Sequence, residues 1–254
     1  MANYAFTNDA YEAGLDDASV AALVVAYEDY DFSEEEILEI INNDEVSTYS
    51  GDAYGYGDWV QIGDMDFYVF DNYDDAYNAA KKDVEELFDD IGFEGFNLNM
   101  SDYVDADWCY DALKESFEFY VDDIANEGSS EYDNRLVEEC YDNGLIDDDD
   151  FETDEDGDVD YTSCTVDEDD LKERYIEWWE DNNTVEDAID EFIAQYGEDE
   201  LNYAYKNGSL NIDVDRLAED CVDIDGIAHF ISGYDGYEHE VEIAGTDYYV
   251  YRHN

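Results

Sequence analysis

Proline is absent from this 254-residue chain, against an average usage of roughly 5%. No pyrrolidine ring can therefore break a helix, and no native prolyl cis bond can slow folding. Cations are almost as scarce: 9 Lys and Arg stand against 76 Asp and Glu, a formal net charge of −67. None precedes Lys81 and none falls between Arg135 and Lys172. Phosphoryl chemistry needs cations at the phosphate, so nucleotides and nucleic acids are poor direct ligands. Anionic membrane surfaces would repel the chain. Long apolar runs are missing too. The longest, from Val20 to Tyr27, is far short of a membrane span. No basic region precedes an apolar stretch near residue 1, so no secretory signal is expected. The four cysteines, Cys109, Cys140, Cys164 and Cys221, form no Cys-x-x-Cys pair. They read as reduced, buried thiols of a cytosolic protein. There is no Gly-x-x-x-x-Gly-Lys loop, no Gly-x-Gly-x-x-Gly after a strand and no Gly-x-Ser-x-Gly elbow. No enzyme activity and no cofactor are expected.

What is present begins with apolar material. Hydrophobic residues make up 44% and aromatics 16%, enough for a core and unlike a disordered acidic tail. The acids must then coat a folded body. A chain of this mass exposes on the order of 11,000 Å², or roughly one carboxylate per 150 Å². Duplex DNA, with one phosphate per ~1.7 Å of axis on a cylinder of about 10 Å radius, carries roughly one charge per 110 Å². The two densities agree within a factor of two.

The strongest local signal occurs twice. Residues 60–70 read Val-Gln-Ile-Gly-Asp-Met-Asp-Phe-Tyr-Val-Phe, and residues 241–251 read Val-Glu-Ile-Ala-Gly-Thr-Asp-Tyr-Tyr-Val-Tyr. Each is a hairpin pattern: an alternating run, a turn with Gly, then a β-branched and aromatic run. Two short amphipathic hairpins can resemble each other by chance. An isolated hairpin is marginal in water, however, so both are expected to join one antiparallel sheet, over about 58–70 and 239–252.

Helical periodicity fills the rest. Asp16 or Asp17 caps a helix to about Tyr30. Ser33 with Glu36 forms a capping box ahead of Ile37, Leu38, Ile40 and Ile41. Residues 1–15 give no strong signal, and Tyr49 to Asp58 reads as a glycine-rich link. Further helices are predicted from Asp74 or Asp75 to Ile91, over 102–125 and 132–141, from Asp167 to Asn182, after a Thr184 cap, and over 198–207 and 213–222. Helices and hairpins segregate, which gives an α+β class. The chain is expected to be a single elongated unit over 1–254, with the acidic segment 147–166 as the place where it would subdivide.

The densest acids are Asp147, Asp148, Asp149, Asp150, Glu152, Asp154, Glu155, Asp156, Asp158 and Asp160, followed by Asp167, Glu168, Asp169 and Asp170. Glu34, Glu35 and Glu36 form a weaker group whose placement also suits a helix N-terminus. With Gly157 at the sixth position of a calcium loop, the twelfth falls on Ser163 instead of a bidentate Glu, which argues against an EF-hand. His229, His239 and His253 lie near Asp235, Glu238 and Glu240, but the spacing fits no ligand pattern, and no metal site is expected.

The tail Gly226-Ile227-Ala228-His229-Phe230, through Tyr234-Asp235-Gly236-Tyr237, to Tyr248-Tyr249-Val250-Tyr251-Arg252 resembles the C-terminus of a family of acidic, largely uncharacterised phage proteins. The first hairpin and the helix after it resemble that family's middle section. Ile227 stands where a basic residue is expected. The resemblance covers about a third of the chain and implies a phage or mobile-element origin without a known activity. In charge and helix content the chain is also similar to the DNA-mimic antirestriction proteins. Together these lead to the expectation of a DNA mimic acting in the cytoplasm of an infected cell. Its partner would be a basic DNA-binding protein of a bacterial defence system, with a restriction–modification complex as the leading target. A homodimer is compatible with the sequence. The rival readings are a halophilic protein, whose acidity is solvent adaptation, and a calcium-responsive interaction protein.

Overall fold

The computed structural model describes residues 4–93, 96, 98–127, 134–153 and 159–254, with the backbone alone for 152, 153 and 159–162. In chain order the elements are α1 (Ala5–Glu12), α2 (Asp17–Asp29), α3 (Glu34–Asn42), β1 (Val46–Ala53), β2 (Gly57–Ile62), β3 (Met65–Phe70) and α4 (Tyr73–Ile91). Then come α5 (Ala106–Glu127), α6 (Arg135–Asp142), β4 (Phe151–Thr153), β5 (Val159–Cys164), α7 (Glu168–Asn182), α8 (Ala188–Tyr196) and α9 (Glu198–Asn207). The chain closes with α10 (Val214–Asp225), α11 (Ile227–Ile231), β6 (His239–Ile243) and β7 (Thr246–Arg252). The contacts divide these into two compact units, Met1–Gly95 with Asp213–Asn254, and Phe96–Ile212. The acidic segment 147–166 lies within the second. No described helix is long and apolar enough to cross a membrane.

The first unit is built on one antiparallel sheet of order β1-β2-β3-β7-β6, so the two predicted hairpins do share a sheet. They meet along β3 and β7, where Val69 faces Val250, Tyr68 faces Tyr251 and Phe70 faces Tyr249. Val69 and Val250 are counterparts in the repeat, as are Tyr68 and Tyr249, and Phe70 and Tyr251. The cross pairs therefore exchange under a local two-fold axis through the Val69–Val250 pair. Each hairpin closes with two residues, Gly63-Asp64 and Ala244-Gly245. Positive φ at Gly63 (58°) suits a type II′ turn, and positive φ at both Ala244 (53°) and Gly245 (91°) suits type I′.

Alternation sends Val60, Ile62, Phe67, Val69, Val241, Ile243 and Val250 to one face, where all are buried. Helix α2 packs across this face against every strand of the sheet. All its residues from Ala18 to Ala26 are buried, which is why it is apolar on every side. The opposite face carries Phe70 and Tyr251, packed edge to face at 5.9 Å. Helix α4 lies there with α10 and α11 against it, burying Ala76, Ala79, Ala80, Val84 and Phe88.

Four local expectations change. Residues 5–12, without a strong signal in the sequence, form α1, anchored by Phe6 and Ala10. Half of the glycine-rich link, Tyr49 to Ala53, belongs to strand β1, which pairs with β2 through an irregularity between Ser50 and Ala53. Thr184 does not cap α8: it donates to the Asp187 carboxylate at 2.8 Å, and the helix starts at Ala188. The acid run 147–160, which in the sequence offers almost nothing to bury, does bury Phe151 at the head of β4.

In the second unit α5 is the spine, contacted by α6, α7 and α8. Its Val121 and Ile124 pack with Leu136, Val137, Cys140, Ile146, Phe151, Leu171 and Tyr175. An antiparallel bridge between Val104 and Ile212 joins the two ends of this unit.

Candidate acidic surface

Among the described residues, the acids at Asp147–Asp150 and Asp167–Asp170 are placed by backbone. Asp147, in extended conformation, accepts from the Asp149 amide at 2.9 Å. Its own amide donates to Asp150 Oδ2 at 3.1 Å. This reciprocal cap fixes the 3₁₀ turn Asp148–Asp150. Phe151 then pairs with Cys164. Thr165 donates both its amide (2.9 Å) and its hydroxyl (3.0 Å) to the Asp150 carbonyl. Two residues later Asp167 caps α7 by accepting from the Asp169 amide at 3.0 Å. Two acid groups far apart in sequence are thus brought to the same end of the β4–β5 hairpin. Leu171, buried one position beyond the second group, anchors that turn in the core.

These carboxylates keep their charge toward water. Asp147, Asp148, Asp149, Asp167, Glu168, Asp169 and Asp170 are exposed, and Asp150 is half-buried. Asp148 accepts from the Tyr141 hydroxyl at 2.8 Å. Lys172 lies 3.2 Å from Glu168 and 3.1 Å from Asp122. Among the described residues no cation comes within ion-pair distance of the other seven acids. Arg174, the nearest other cation in sequence, donates to the Leu145 carbonyl at 3.1 Å.

Of the remaining predicted acids, Asp154, Glu155, Asp156 and Asp158 lie outside the described residues. Glu152 and Asp160 lie in β4 and β5. Ser163, the last position of the tested calcium loop, is in β5, so no helix leaves the loop there. Glu34, Glu35 and Glu36 are exposed in the first turn of α3, in the other unit. Glu36 accepts from the Ser33 hydroxyl at 2.7 Å and the Ser33 amide at 2.9 Å. Those two bonds hold its carboxyl below the ordinary glutamate range.

A second constellation was legible only in part: the sequence sets His239 near Asp235, but not Asp29 and Tyr30 beside them. Asp29, at the end of α2, lies 2.9 Å from His239 Nδ1, and the Tyr30 hydroxyl lies 3.0 Å from His239 Nε2. Tyr30 also donates to Asp235, and the Arg252 guanidinium sits 3.5 Å over the Tyr234 ring and 4.6 Å over that of Tyr30. Burial, with the bond to Asp235, pushes the Tyr30 hydroxyl far up, which makes it a poor nucleophile at neutral pH. The described residues contain no cluster of three metal-ligating side chains. The group ties the end of α2 to β6 and the tail of the sheet.

In the second unit an open groove of about 800 Å³ is walled by Leu113, Phe117, Phe119, Tyr120 and Trp179. Among the described residues its charged lining, Asp123 and Glu191, is acidic and offers no cation for a phosphate.

Compared with known protein families, characterised proteins and solved structures, the chain matches none.

The accessible surface is 14,374 Å², larger than mass scaling suggests. Divided among 76 acids it gives one per about 190 Å², still within twofold of the roughly 110 Å² per phosphate on duplex DNA.

Proposed function

We propose that this protein is a DNA mimic: an inhibitor that occupies the basic DNA-binding groove of a bacterial defence protein, with a restriction–modification complex as the leading target. The supporting observation is the pair of acid groups around the β4–β5 hairpin, where carboxylates, all but Glu168 without an ion-pair cation among the described residues, are tied to capped backbone. A basic groove evolved for phosphates meets negative charge that costs little ordering entropy to bind, because folding has already fixed its backbone. The release of counterions from both surfaces makes such binding steeply salt-dependent.

The variant that tests this reading changes charge without touching caps. Asp148, Asp149, Asp169 and Asp170 are each replaced by Asn, leaving Asp147, Asp150 and Asp167 to hold their turns. At up to ~1 kcal/mol for each exposed pair, affinity for the basic partner should fall about 10–100-fold, with the melting temperature unchanged or raised. Unchanged affinity in that variant would remove this surface from the interface.

A further inference from the structure

The local two-fold axis of the sheet leaves one position unmatched. On one side of the axis β2 is covered by β1, through Val46–Ile62, Ser47–Gln61, Thr48–Val60 and Tyr49–Trp59. On the other side β6 is the counterpart of β2, and among the described residues no strand pairs with its outer edge. We infer that this edge of β6 is a docking site for an extended segment of a partner protein in which apolar and basic residues alternate.

The residue pattern follows from register. Ile243 and Thr246 close a two-residue hairpin, so they form a hydrogen-bonded pair. Pairs then alternate: Val241 and His239 also bond β7, while the amides and carbonyls of Glu240 and Glu242 face outward. These are the counterparts of Trp59 and Gln61, which β1 pairs with Tyr49 and Ser47. An incoming antiparallel strand in β1's register would set two of its side chains beside Glu240 and Glu242. Both glutamates are exposed. Directly opposed side chains in such pairs interact by charge, so those two positions call for Lys or Arg. The side chains opposite Val241 and Ile243 fall where Thr48 and Val46, respectively, stand, at the margin of the α2 core. Both Val241 and Ile243 are buried, so apolar residues fit there. A second copy of this chain is the wrong occupant: pairing β6 with β6 would bring four glutamates together in two molecules of charge −67 each.

This inference does not rest on DNA mimicry, and its test separates the two. The full chain is titrated at 0.15 M salt with a capped peptide of alternating valine and lysine. The control peptide has the same composition, with its lysines in one block and its valines in another. Amide hydrogen exchange is followed at Glu240 and Glu242. The alternating peptide should slow both amides about tenfold or more, and the block peptide should leave them unchanged. Glu242→Pro removes one outward donor without touching the β7 ladder and should abolish the protection. Glu240→Lys with Glu242→Lys keeps the backbone intact and should do the same. Equal protection by both peptides, or retained protection in the double lysine variant, would overturn the inference. So would concentration-dependent protection without peptide, which would mean that a second copy fills the edge. Competition of the chain with duplex DNA is untouched by any of these outcomes.

Discussion

At Gly233 the backbone leaves no room for a side chain. A Cβ built there would lie 2.3 Å from the His253 carbonyl oxygen. That oxygen belongs to the backbone, so nothing flexible can yield. Gly233→Ala should destabilise the first unit by about 1–3 kcal/mol, read as a fall in denaturant midpoint. Ala244 offers the opposite case. Its φ of 53° is costly for a residue with a Cβ, and a type I′ turn favours Asn-Gly. Ala244→Asn should stabilise the second hairpin by roughly 0.5–1 kcal/mol, seen as a raised melting temperature. Asp235 gives the residue scale its pH dependence. Burial opposes its charge, but bonds from Tyr30, the Tyr237 amide and the Ser232 hydroxyl, with His239 nearby, outweigh it and hold the carboxyl below the ordinary aspartate range. A carboxyl lowered on folding adds stability above its unfolded value of about 3.9 and loses it as pH falls through the folded value. The stability gap between wild type and Asp235→Asn should therefore be full at pH 6 and shrink below about pH 4, measured by denaturant titration at each pH.

Elements were legible where their cause is local. Helix α3 carries its capping box in four consecutive residues, Ser33 to Glu36, and α4 shows its stripe of Ala76, Ala80, Val84 and Phe88. The two hairpins could be read because alternation and a turn glycine stand side by side. Strand β1 could not, since Gly51, Gly55 and Gly57 look like a link until β2 is placed beside them. Gly57 itself is required there: a Cβ would meet Phe70 Cδ1 at 2.4 Å and the Val69 carbonyl oxygen at 2.6 Å. At the acidic surface each residue could be named in advance but not the juxtaposition, which depends on two bonds from Thr165 to the Asp150 carbonyl. The Asp29–His239–Tyr30 group had no signal either, because its members are joined only when α2 reaches β6. Acids also stand at helix C-termini, where the dipole disfavours them. Asp181 is exposed in the last turn of α7. Asp181→Lys should stabilise the second unit by about 0.3–1 kcal/mol at low salt, and the gain should shrink as salt screens it.

For the whole molecule, a charge of −67 works against compaction. Nine cations cannot offset 76 acids, although Lys81 meets Asp215 at 2.8 Å, Lys114 meets Glu180, Lys172 bridges Asp122 and Glu168, and Arg216 lies 3.8 Å from Asp220. The fold is held instead by the α2–sheet core, by the α4 layer and by the aromatic core of the second unit. A melt across salt concentrations separates mimicry from salt adaptation. A body with these cores should remain folded at 20 mM salt and gain only a few degrees in melting temperature at 1 M, whereas a halophilic protein should unfold at the lower concentration. The most direct measurement is displacement. A labelled DNA duplex bound to a restriction–modification complex is titrated with the full chain at 0.15 M salt. The account expects release of the duplex at near-stoichiometric protein, reversed by excess unlabelled duplex and weakened in the variant with Asn at 148, 149, 169 and 170. A duplex that stays bound under a hundredfold excess of the chain would contradict it.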